Sequence, residues 1–277
     1  MGHHYLPQHY LRGFASGKAI WAHDLQEKRS FRTRIKSVAN ETALYTEDLE
    51  AHLANSVEGP AQSAIDKLRR LEELSSKDRE VLARYIIAMW KRVPAARKRV
   101  AATIPGVADK IKAEFQQANA KAVEENPDLA NLASSRKGEV EAIISRYKQD
   151  PPNHFWHHIV GTEATPRMVL GLLEMSWTVL VSESERFIAS DNPVFFFESE
   201  GIGSPYSELS APLSSGIALW AARGRQPKPN FMPVDRNIVM EVNRRSASKA
   251  GRYLYTEQEA PWALRFGNKP HVLDRLW

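Results

Sequence analysis

The amino-acid sequence changes its periodicity twice, and that restricts the architectures open to it. From Pro60 to about Asp150, Ala, Leu, Lys, Arg and Glu dominate. Apolar residues there recur at helical spacing, as in Ile65, Leu68 and Leu71 and again in Leu82, Tyr85, Ile86 and Met89. Both ends read differently. Residues 19–24 and 30–35 alternate or carry β-favouring side chains around a polar turn, as a hairpin does, and residues 187–189, 194–197 and 217–220 are short apolar runs between Gly, Pro and Ser clusters. The expected fold class is α+β: a predominantly helical middle with a small mixed or antiparallel sheet formed by the N-terminal hairpin and the C-terminal strands.

Local signals refine this outline. Thr46 before Glu47 and Asp48 reads as an N-cap for a short helix carrying Leu49, Leu53 and Val57, which Gly59 and Pro60 are expected to end. Ser75 and Ser76 cap a second helix, and Pro94, Pro105 and Pro127 each kink a helix or open a new one. Residues 166–182 are predicted as one helix buried on most sides, residues 234–249 as another, and residues 252–256 as a last strand or extended segment. No repeat or low-complexity linker divides the chain. The expectation is one domain over 1–277, with a strand region at 1–45, a helical region at 46–182 and a strand-rich region at 183–277.

With 277 residues, 43% of them hydrophobic, the chain can bury a sizeable core. It has no Cys, which excludes disulfides, thiolate metal ligands and a Cys nucleophile. No run reaches the roughly 18 apolar residues of a membrane span, and the opening residues lack the order of a secretion signal, so no membrane partner and a cytoplasmic location are expected. The net charge of +5 is modest but unevenly spread. Residues 84–112 hold eight Lys and Arg against the single acid Asp109, whereas residues 183–208 hold six acids against Arg186. The two stretches can neutralise each other, or the basic one can face phosphate.

Three segments stand apart from ordinary packing. His3 and His4 precede Pro7, Gln8 and His9; adjacent extended residues point to opposite sides, so one imidazole can face a cleft as general base, general acid or metal ligand. The alternative is a surface or core-edge pair. Asp191 and Asn192 precede Pro193 at a strand end, where they can form an Asx-type turn or aim a carboxylate into a cleft. Arg92 shares the inward stripe of Tyr85 and Met89, and an inward Arg calls for a carboxylate or phosphate; Glu58, ending the Leu49, Leu53 and Val57 face, can supply that charge. A structural ion pair is the competing reading. His154, His157 and His158 read as a loop or amphipathic turn. Gly-rich nucleotide loops, His-Glu-x-x-His and Gly-x-Ser-x-Gly are all missing from the sequence, and Ser214 and Ser215 have no neighbouring base.

Residues 3–14 (His-His-Tyr-Leu-Pro-Gln-His-Tyr-Leu-Arg-Gly-Phe), Ala43-Leu44-Tyr45, Val57-Glu58-Gly59, Met89-Trp90-Lys91-Arg92-Val93-Pro94 and Ser190-Asp191-Asn192-Pro193 together resemble bacterial proteins of domain-of-unknown-function family 4238. Val93 interrupts the tighter Arg-Thr-Pro pattern associated with that family, and His9 stands where an aromatic is frequent. The resemblance implies that the marked blocks belong to one fold and implies no reaction.

The function expected from these residues is a hydrolase, such as a phosphodiesterase or nuclease, acting on a phosphate-bearing substrate with nucleic acid favoured. His3, His4, Arg92 and Asp191 are its candidate catalytic residues; Gln8, Tyr45, Asn192, Arg97, Lys98 and Arg99 are candidate substrate contacts. His4, Glu58 and Asp191 are candidate ligands for a divalent metal ion. Two alternatives stay open: a non-catalytic module binding nucleic acid or a protein through Arg97, Lys98 and Arg99, and a nucleotide-cofactor glycohydrolase using Glu58 or Asp191 without metal.

Overall fold

The computed structural model describes residues 2–42, 44–150, 152–162, 165–197, 201–224, 228–268, 273 and 275–276. The chain forms two compact units, one of Met1–Pro94 with Val160–Trp277 and one of Ala95–Ile159.

The first unit opens with β1 (Gly2–His4), a short helix α1 (Gln8–Leu11), the hairpin β2 (Ala19–Asp24) and β3 (Arg29–Arg34), and β4 (Asn40–Thr42). Strand β4 pairs antiparallel with β1, setting His3 opposite Glu41. Helix α2 (Glu47–His52) begins at Thr46, whose hydroxyl accepts from the Leu49 amide. It does not stop at Gly59. A π-helical turn (Leu53–Glu58) carries it into α3 (Gly59–Arg69), with Pro60 in the first turn of α3. Pro lacks only a donor that a first turn leaves unused, and its ring would crowd the carbonyl four residues back in a regular α-helix; the wider π turn removes that conflict. Helix α4 (Ser76–Arg92) follows, held by a reciprocal capping box between Ser75 and Asp78.

The second unit is helical. Pro94 starts α5 (Pro94–Glu125), Pro105 lies inside it, and Pro127 opens the 3₁₀ turn leading into α6 (Ala130–Gln149). Lys112 pairs with Glu141 at 3.1 Å, Lys148 with Asp109, and the Asn119 amide with the Ala133 carbonyl at 2.9 Å, so α5 and α6 run antiparallel. His154, His157 and His158 lie on α7 (Asn153–Gly161), a nine-residue helix where a loop or amphipathic turn was expected.

In the remainder of the first unit, residues 166–182 correct the sequence expectation. Helix α8 (Pro166–Leu173) ends early, and Ser176–Val181 is a strand, β5. Trp177, Thr178, Val179 and Leu180 are all buried, so both faces of this strand are covered and the alternation that would have marked it is lost. There follow β6 (Ala189–Ser190), β7 (Phe195–Phe196), β8 (Glu208–Pro212), β9 (Ile217–Ala222), β10 (Phe231–Pro233), α9 (Arg236–Lys249) and β11 (Tyr253–Thr256).

The fold is α+β. One sheet, ordered β3-β2-β11-β6, is antiparallel throughout and joins the N-terminal hairpin to C-terminal strands. A five-stranded sheet, β10-β5-β9-β8-β7, is antiparallel except for the parallel β10–β5 pair. Leu180, Phe187, Trp220, Val239 and Val242 form a core between that sheet and α9. Each such side chain contributes about 1.5–3 kcal/mol by leaving water.

Candidate functional site

The elements β1, α1, α2, the π turn and α4 bring one polar cluster together. The Tyr45 amide donates to His3 Nδ1 at 3.0 Å, so the His3 proton sits on Nε2, 3.4 Å from Glu47 Oε1. His4 points the other way, as alternation in β1 requires. Its Nε2 lies 3.4 Å from the exposed Gln8 amide, while its buried Nδ1, near the Val38 and Ala39 carbonyls, completes no hydrogen bond among the described residues. Burial, opposed by the Val38 carbonyl and aided by the Arg92 charge, holds His4 below the ordinary imidazole range.

Arg92 occupies the last turn of α4 with only 1% of its side chain exposed. One terminal nitrogen donates to Glu58 and the other to the His4 carbonyl at 2.5 Å, and the latter nitrogen is 3.9 Å from Glu50 Oε2. The Tyr45 hydroxyl donates to the Arg92 carbonyl, and the guanidinium carbon lies 5.9 Å from the centre of the Tyr45 ring. The Glu50 side chain is 30% exposed, which opens the cluster toward solvent, yet burial raises its carboxyl above the usual range against the pull of Arg92.

Five buried polar atoms in this cluster find no hydrogen-bond partner among the described residues: His4 Nδ1, His9 Nε2, Glu50 Oε2, the Tyr85 hydroxyl and Arg92 Nε. His4, His9, Glu50 and Tyr85 all feel the charge of Glu58. Glu58 itself ends the π turn, a feature that recurs at functional sites because it re-aims side chains within a helix. The His9 ring centroid is 5.6 Å from that of Tyr85, and burial lowers the His9 pKa to about 4. Burial also pushes the Tyr85 hydroxyl well above its usual range, so it remains a donor.

The sequence candidates His3, His4, Gln8, Tyr45, Glu58 and Arg92 therefore meet. Among the described residues Asp191 makes no hydrogen bond or ion pair with any of them. Its carboxylate accepts from the amides of Gly251, Arg252 and Tyr253 at 2.7, 2.7 and 2.9 Å, anchoring the start of β11 beside β6. Burial raises its pKa and those three amides oppose the rise. Asn192 donates from its amide nitrogen to the Lys249 carbonyl at 3.0 Å, while its buried Oδ1 has no hydrogen-bond partner among the described residues. With Glu58 engaged by Arg92 and Asp191 by amides, the His4, Glu58 and Asp191 ligand set is not assembled. Among the described residues no three His, Asp or Glu side chains are grouped to hold a metal ion. Arg97, Lys98 and Arg99 lie on α5 in the second unit.

Sequence reasoning missed Glu50 and the polar role of Tyr85. Glu50 precedes Glu58 by eight residues on one continuous helical segment, and Tyr85 precedes Arg92 by seven, spacings that return a side chain to the same face.

The family model described as protein of unknown function (DUF4238) matches residues 2–260. The chain belongs to the DUF4238 family. That match spans every element contributing to the cluster in this DUF4238 chain, from β1 to α4, and also Asp191. Comparison with curated proteins and with solved structures finds no match.

Proposed function

We propose that this DUF4238 protein is a hydrolase acting on a phosphate-bearing substrate, nucleic acid being the favoured class, with its centre at His4, Glu50, Glu58 and Arg92. The carrying observation is the gathering of unspent polar atoms around the Glu58–Arg92 pair. Glu58 balances the guanidinium charge, so recognition of an anion rests on hydrogen-bond donors rather than on net charge. Arg92 Nε–H and the Tyr85 hydroxyl are such donors, and the upward shift of Glu50 reduces its repulsion of a phosphate. In this reading His4 takes the proton of an attacking water, the Glu50 carboxyl is the donor to the leaving oxygen, and Arg92 stabilises the charge that develops between them. The basic stretch lends less than its composition promised: Arg84 pairs with Glu80 at 2.9 Å and Arg92 with Glu58, whereas Arg97 and Lys98 are exposed on α5.

One observation favours a second reading. Glu50, raised by burial, and Glu58, paired with Arg92, are two carboxyl groups in unlike surroundings, the division of labour that glycosidic-bond hydrolysis uses. Incubating the purified protein with RNA, single- and double-stranded DNA and a nicotinamide dinucleotide, with and without chelator, separates the readings. Chelator-resistant cleavage of nucleic acid, reduced about 10²–10⁴-fold in His4→Ala, is the expected result. Loss of the dinucleotide alone selects the glycohydrolase. Binding without turnover of any substrate selects the non-catalytic module.

A further inference from the structure

The first unit holds a second polar site, at the opposite end of α4 from Arg92. Arg79 and Arg92 are thirteen residues apart on that helix, about 20 Å along its axis. A cleft of about 60 Å³ is lined there by Glu73, Arg79, Trp177, Asn230 and apolar side chains that include Leu68 and Val179.

The Arg79 guanidinium lies over the Trp177 ring at 4.7 Å from its centre. Trp177 is fixed in turn, its indole N–H donating to the Leu172 carbonyl at 2.8 Å. Among the described residues Arg79 has no carboxylate within ion-pair distance, although it is half-buried and burial lowers its pKa. A guanidinium stacked on an indole is oriented and partly desolvated while its donor edge stays unspent. On the same cleft the Asn230 amide donates to Glu73 Oε1 at 3.0 Å, which orients that carboxylate without neutralising it. The cleft thus offers a fork of donors, an oriented anion and an aliphatic wall, and it is too small to enclose more than a head group or a short chain.

We infer that this cleft binds a small amino carboxylate, its carboxylate on Arg79, its ammonium on Glu73 and its aliphatic body against Leu68 and Val179. The site is separate from the hydrolytic centre and does not depend on it.

Titration calorimetry with L-valine, 4-aminobutanoate, butanoate and butylamine tests this, with the Trp177 indole N–H signal, assigned through Trp177→Phe, as a local readout. At least one of the two zwitterions is expected to bind and shift that signal, with affinity falling at least tenfold in both Arg79→Gln and Glu73→Gln. Thermal melts of the two variants check that they fold. Butanoate binding as well as the zwitterions, or Glu73→Gln leaving their affinity unchanged, overturns the inference in favour of a plain anion site. No binding by either zwitterion overturns it outright.

Discussion

Arg92 and Glu58 are joined across 34 residues of sequence, from the last turn of one helix to the π turn of another, with the arginine at 1% exposure and the glutamate at 18%. The same guanidinium also holds the His4 carbonyl. One cation therefore fixes the opening strand, the π turn and α4 relative to one another, and the atoms it leaves unsatisfied lie where those three elements meet.

Removing one partner of this pair strands a buried charge. Glu58→Ala is expected to cost about 3–5 kcal/mol, read as a fall in the urea midpoint. Replacing both partners, in Glu58→Leu with Arg92→Met, should recover much of that loss, because a buried ion pair adds little over well-packed apolar groups. On the proposed function, the double variant should nonetheless have no hydrolytic activity. A double variant as unstable as Glu58→Ala would show that the pair contributes more than its mutual neutralisation.

Asp191 gives the opposite pattern. Its two oxygens serve three backbone amides, so Asp191→Ala removes the acceptor of three part-buried donors and should cost about 1–3 kcal/mol, with a smaller loss for Asp191→Asn. Turnover per folded molecule should stay at the wild-type level below the unfolding transition. Loss of turnover with unchanged stability would return Asp191 to the catalytic centre.

These two residues show how far the sequence could be read. Arg92 was legible because its spacing from Tyr85 and Met89 places it on the inward face of a helix whose limits are marked by the Ser75 cap and Pro94. The hairpin followed from local alternation, and its sharing of a sheet with residues 253–256 from the absence of a linker dividing the two strand-rich ends. Asp191 was not legible, since its partners lie sixty residues away at the start of β11 and no local pattern records them. Strand β5 was hidden because burial on both faces erases the period that distinguishes strand from helix. Glu50 was passed over as one acid among several in a first turn, and only the packing of α2 against Arg92 gives it a special environment.

Pro105 lies within α5, where it removes a backbone donor and crowds the preceding turn. Pro105→Ala should stabilise the second unit by about 1–3 kcal/mol. The measurement is amide hydrogen exchange, with slower exchange expected over residues 101–109. Faster exchange there would mean that the proline's rigidity, rather than regular helical bonding, holds this part of α5 in place.

Two buried histidines set the acid response of the first unit. Burial lowers both His9 and His23 to about 4, from an ordinary value of 6.5. His23 is fully buried, bonded to Ser30 Oγ at 2.8 Å and Thr256 Oγ1 at 2.7 Å, and so ties β2 to β11 as a neutral ring. Above pH 6.5 neither the folded nor the unfolded state is protonated at these sites, and their contribution is complete. Below it the unfolded chain takes up protons that the folded chain refuses, so stability falls with pH until the folded rings titrate near pH 4, by at most about 3 kcal/mol for each histidine. Between pH 6.5 and 5 lowered His4 adds to this slope and the raised Glu50 and Asp191 carboxyls oppose it, so the diagnostic quantity is a difference between variants. Urea unfolding across that window should show a stability slope smaller in His23→Asn than in the wild type by an amount approaching one proton. Equal slopes in the two proteins would mean that the unfolded and folded chains protonate His23 alike, and that its burial does not exclude the charge.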